Sequence, residues 1–89
     1  MLINGIIVKN ARNDIGLILG ELILFKNSYL PIYALDNNLE VGNRPDLKII
    51  ELYEYIENDY YITGLDDLIK LQEHFYTNDN CFKLIWRNN

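Results

Sequence analysis

Hydrophobic positions fall into short runs separated by turn-forming residues, which is a β pattern for the first 35 residues. Residues 2–9 form a brief apolar run around Ile6, Ile7 and Val8. Asn10-Ala11-Arg12-Asn13-Asp14 follows, and Asn and Asp favour turns because their side chains bond their own backbone. Residues 17–25 are almost continuously apolar, which predicts a strand covered on both faces. Gly20 inside this run marks a bulge or a close approach. Lys26-Asn27-Ser28 makes a tight connection to a third run at 29–35. Pro31 has no N–H to give a ladder, so this strand lies at an edge or starts there. Three such runs with short turns predict an antiparallel meander.

Asp36-Asn37-Asn38 reads as another turn and Leu39-Glu40-Val41 as a brief strand. Residues 47–56 fit two templates. A helix would have Pro45 near its start and a stripe of Ile49, Leu52, Tyr53 and Ile56. A strand suits the Ile and Tyr content, and we prefer it. A turn at Asn58-Asp59 and a short strand at 60–62 follow. Thr63 is an N-cap with Asp66 three residues on, and it predicts an amphipathic helix over about 64–77. Leu65, Leu68, Ile69, Gln72, Phe75 and Tyr76 share its inner face. Residues 81–87 read as a final strand, with Phe82, Leu84 and Trp86 alternating against Lys83, Ile85 and Arg87. The expected fold is α+β: a mainly antiparallel sheet of about four to six strands with one helix packed on a face. Eighty-nine residues predict a single domain, 1–89.

Composition adds mostly exclusions. A lone Cys81 cannot form an internal disulfide, and no Cys/His set has zinc spacing, which predicts a reducing, cytoplasmic setting. The start, Met1-Leu2-Ile3-Asn4-Gly5, has no basic region of a signal peptide, and the longest apolar run is too short to span a bilayer, so no membrane association is expected. With one histidine, one cysteine and one serine, few catalytic sets can be assembled, and no enzymatic activity is expected. His74 sits beside Glu73 on the polar helix face and has Asn78 where a second metal ligand would stand. Glu51, Glu54 and Glu57 do not cluster as a hard-metal site needs, and no cofactor or metal is expected. The five glycines form no phosphate loop, and 13 acids against 8 bases disfavour direct nucleic-acid binding. A local patch of Lys9, Arg12, Lys83 and Arg87 would need the terminal strands to be neighbours.

Charge then redirects the picture. Residues 1–35 carry a net +1, residues 36–79 a net −8 and residues 80–89 a net +2. The acidic stretch holds five of the seven tyrosines, and 51–61 alternates carboxylates with aromatic rings. Packed tyrosines with solubilising acids would explain this on structural grounds alone. Tyrosine is also enriched at interface hot spots, and surrounding acids steer a cationic partner. The sequence therefore points to a small acidic protein-binding module, an inhibitor or immunity-type protein. It would occlude a basic surface of a toxin or a nucleic-acid-handling protein. Tyr53, Glu54, Tyr55, Glu57, Asp59 and Tyr60 are the expected contacts. The alternative is an assembly protein, either a homo-oligomer or a phage or accessory subunit, motivated by the apolar 17–25 run and an open edge at Pro31.

Overall fold

The computed structural model describes residues 2–55, 73 and 82–88. Six strands form one antiparallel sheet: β1 (Ile7–Asn10), β2 (Ile15–Leu19), β3 (Leu22–Leu24), β4 (Tyr29–Pro31), β5 (Ile49–Tyr55) and β6 (Phe82–Arg87). Their order is β4-β3-β2-β1-β5-β6. The first four strands form an antiparallel meander, where one of three strands was expected. The chain then leaves the β4 edge, crosses a sheet face through 3-10 turns at Ile32–Ala34 and Pro45–Leu47, and adds β5 on the far side of β1. The predicted helix over 64–77, the turn at Asn58-Asp59 and the strand at 60–62 lie outside the described residues, as does Cys81. Glu73 is the one residue of that stretch described, with helical backbone and an exposed side chain.

The 17–25 run is two strands, where one was expected. Gly20, at φ +62°, opens a two-residue connection in which Leu19 pairs with Leu22. A positive φ at the first central position is what a II′ hairpin requires, and glycine adopts it without a Cβ penalty. The Gly20 N–H donates to Asn4 Oδ1 at 2.8 Å, which anchors the turn from outside. The run looks continuous because both arms of the hairpin are apolar.

Side chains alternate across a strand, so the sheet has two apolar faces. One holds Ile7, Ile15, Leu17 and Phe82, with Leu19, Leu24 and Tyr53 against them. The other holds Ile6, Val8, Ile18, Ile23, Ile49 and Leu52. The crossing segment contributes Ile32, Leu35 and Leu39 to this second face, and Trp86 packs there too. The neighbours Ile7 and Val8 are both fully buried, as a strand covered on both faces requires. Gly16 is small for a reason of packing. A Cβ there would lie 2.8 Å from Phe25 Cε1 and 2.9 Å from Ile23 Cγ2. Gly16→Ala should destabilise the domain by about 1–2 kcal/mol, since overpacking outweighs the entropic gain of removing a glycine. Adding Phe25→Leu should recover part of the loss in urea unfolding; no recovery would mean that Phe25 is not the obstacle.

Three other expectations are corrected. Residues 29–35 are extended only to Pro31, then turn into the 3-10 segment. Leu39-Glu40-Val41 forms no strand: Asp36 Oδ1 accepts the N–H groups of Asn38 (2.8 Å) and Glu40 (3.0 Å), Leu39 sits at φ +60°, and only a Val41–Arg44 bridge remains. The regular alternation expected in the last strand is broken by a bulge. Leu52 pairs with Trp86 and Tyr53 with Leu84, so Ile85 is an extra residue on β6. Leu84 and Trp86 therefore face opposite sides. A second shift, between Lys9 and Asn10, leaves Ile50 extra on β5. As expected from Pro31, β4 is an outer strand; among the described residues β6 is the other. No helix among the described residues is long and apolar enough to cross a membrane.

Candidate functional site

Within 47–56 the preferred strand runs over Ile49–Tyr55, with Leu47 in the preceding 3-10 turn, and it divides the expected contact residues. Tyr53 and Glu54 are consecutive on β5 and face opposite sides of the sheet. Tyr53 is half-buried against the Ile7–Leu17–Phe82 face. Glu54 is exposed and stands across from Lys83 of β6, an opposite-charge pairing of the kind that favours strand register. Tyr55 pairs through its backbone with Phe82. Glu57, Asp59 and Tyr60 lie outside the described residues.

The structure instead gathers residues that no spacing announced. Glu51 is 7% exposed and lies in register with Lys9 of β1 and Arg87 of β6. Its Oε2 accepts from Arg87 Nη2 at 2.8 Å and Nε at 3.0 Å, and Lys9 Nζ stands 3.4 Å from Oε1. The Tyr53 hydroxyl donates to the same carboxylate. Arg87 reaches this face because the Ile85 bulge resets the alternation of β6. Burial pushes the Glu51 carboxyl up, but hydrogen bonds from Arg87, Tyr53 and Lys9 outweigh it and hold the group below the usual glutamate value. Tyr53 is pushed up to about 12 by burial first and by the neighbouring carboxylate second. A carboxylate kept charged, with its lone pairs already engaged, is a poor general base. The row therefore ties three adjacent strands together through one buried charge. The condition for a cationic patch of Lys9, Arg12, Lys83 and Arg87 is not met: β5 separates β1 from β6, and Lys9 and Arg87 pair with Glu51.

Most acids of the described body are engaged in the same manner. Glu40 pairs with Lys48 at 3.0 Å. Asp46 accepts from Arg44 Nε at 3.1 Å and Nη2 at 3.0 Å, and Arg12 Nη1 is 3.6 Å away. Asp36 holds backbone amides. The charge count agrees with this pairing. Outside residues 56–79 the chain has seven acids (Asp14, Glu21, Asp36, Glu40, Asp46, Glu51, Glu54) and seven bases (Lys9, Arg12, Lys26, Arg44, Lys48, Lys83, Arg87). Residues 56–79 carry Glu57, Asp59, Asp66, Asp67, Glu73 and Asp79 against Lys70, so the whole net charge of −5 belongs to that segment.

Among the described residues, no three His, Cys, Asp or Glu side chains come together as metal ligands. Comparison with protein families, with curated proteins and with solved structures finds no match to this chain.

Proposed function

We propose that this domain is a protein-binding module that covers a basic surface of its partner, as an inhibitor or immunity-type protein would, and that it acts by occlusion. One observation carries the reading: the sheet body is charge-balanced and largely paired within itself, while all of the net charge lies in residues 56–79. A segment rich in acids and tyrosines, in a chain whose other charges balance, concentrates attraction in one stretch of sequence. Glu54, Tyr55, Glu57, Asp59 and Tyr60 remain the contact residues of this reading. Tyr53 leaves the set, because its ring packs on the core and its hydroxyl serves Glu51. The assembly alternative rested on the apolar 17–25 run and on an open edge at Pro31. The run is folded into a hairpin whose Ile18 and Ile23 are fully buried within one chain, so it gives no motive for a second copy. The short β4 edge still stands in favour of that alternative.

The test is capture from an extract of the source cells, with the wild type and Glu57→Lys/Asp59→Lys as parallel baits. A basic protein should be retained at low salt, reduced roughly tenfold at high salt, and lost on the charge-reversed bait. Equal retention on both baits, or recovery of nothing but the chain itself, would overturn the proposal.

A further inference from the structure

Three turns that are far apart in sequence meet around one cleft. The first is the β1–β2 turn. Asn10 is 1% exposed, and its Oδ1 accepts the N–H groups of Arg12 (3.0 Å) and Asp14 (2.9 Å), which fixes the loop that carries both. The second is the 44–47 turn, where the Leu47 N–H donates to the Arg44 carbonyl at 3.0 Å. The Ala11 N–H donates to the Lys48 carbonyl at 2.9 Å and joins these two walls. The third is the β3–β4 hairpin, closed by a bond from the Phe25 N–H to the Ser28 carbonyl at 2.8 Å. The space bounded by these turns and by Glu73 is about 600 Å³, inside the roughly 300–1,000 Å³ range of small-molecule sites.

The lining has two characters. Ile15, Phe25, Leu30 and Leu47 supply apolar surface. Arg12, Lys26 and Arg44 bring three cations to the same cleft, against the carboxylates of Asp14 and Glu73. Asp14 is already held by Arg12 at 3.5 Å and by Asn10 Nδ2 at 3.4 Å. Asp46 lies between the two guanidinium groups and steadies both. It takes two of the five N–H donors of Arg44, and a guanidinium retains donors for a further acceptor. Lys26 has no acid within ion-pair distance among the described residues. Preset cations beside an apolar floor fit a ligand with an anionic head and an apolar body. Tyr29, two-thirds exposed, adds a ring for such a body to pack on.

We propose that this cleft binds a small organic anion: a ring or short acyl body bearing one phosphate or carboxylate group. Arg12 and Arg44 hold the acid group, Lys26 adds long-range attraction, and Phe25, Leu30 and Leu47 cover the body. This proposal does not rest on the protein-binding reading, although Glu73 of the acidic segment also lines the cleft.

Phenyl phosphate titrated into the full-length chain, followed through backbone amide chemical shifts, tests it. Saturable shifts should concentrate at residues 10–15, 25–30 and 44–47. Benzoate in a parallel titration identifies the preferred acid group. Inorganic phosphate should bind at least several-fold more weakly, because it lacks the body, and benzylamine should not bind. Arg12→Ala/Arg44→Ala should weaken phenyl phosphate by roughly tenfold or more, the loss expected when charged hydrogen bonds are removed. Lys26→Ala, which breaks no ion pair of the described residues, should weaken it by a few-fold and keeps the test open if the double variant folds poorly. No saturable shift with phenyl phosphate, equal binding of benzylamine, or undiminished affinity in both variants would overturn the site.

Discussion

Leu52→Ala should lower the free energy of unfolding by about 2–5 kcal/mol. Leu52 is fully buried on β5, with Val8 of β1 on one side and Trp86 of β6 on the other, inside the face that the crossing segment covers. Its neighbours belong to three strands and cannot all move to fill the space, so the residual cavity adds to the lost transfer energy. A domain of this size holds on the order of 5–10 kcal/mol, so the variant should be near its limit of folding. The readout is built in. Trp86 is the only tryptophan and lies across from the site, so its fluorescence in urea follows the affected region directly. The midpoint should fall with little change in slope. A shift below about 0.5 kcal/mol, the range of surface substitutions, would remove Leu52 from the core.

Glu51→Gln should destabilise the domain by about 1–3 kcal/mol at neutral pH. The amide keeps the shape but not the charge that Arg87 and Lys9 face. The effect belongs at the lower end because the Arg87 side chain is 58% exposed and recovers water on losing its partner. The pH dependence has a definite sign. The folded carboxyl lies below its ordinary 4.5, so the unfolded chain takes up the proton first as pH falls. The stabilisation is fully present above about 4.5 and disappears as pH drops through the folded value. Wild type and variant should therefore differ at pH 7 and converge in acid. A gap that stays constant from pH 7 down to about 3 would mean that the charge of Glu51 contributes nothing.

The sequence carried the strands well where composition and period agreed. Ile49–Tyr55 is a strand because Ile and Tyr suit a pleated surface, and Pro31 marked its strand as outermost because it lacks an N–H. Residues 17–25 misled because two apolar arms joined by Gly20-Glu21 read as one run; the Gly-x pair was the available signal. The bulges at Ile50 and Ile85 have no such signal, since register is decided by partners distant in sequence. That is why Glu51 and Arg87, 36 positions apart, could not be matched in advance. The cleft was hidden for the same reason, because its cations come from three separate turns. The division of Tyr53 from Glu54 followed from period two alone once the segment was taken as a strand.

The two rims of the sheet bear on how the molecule behaves in a crowd. A visiting strand at β4 would find three residues, one of them unable to donate. At β6, among the described residues, it would meet Lys83 and a ladder thrown out of step at Ile85. Neither rim offers the flat, even template on which fibrils elongate. Among the described residues, the apolar strands are thus held in a sheet whose two rims discourage growth from one molecule into the next.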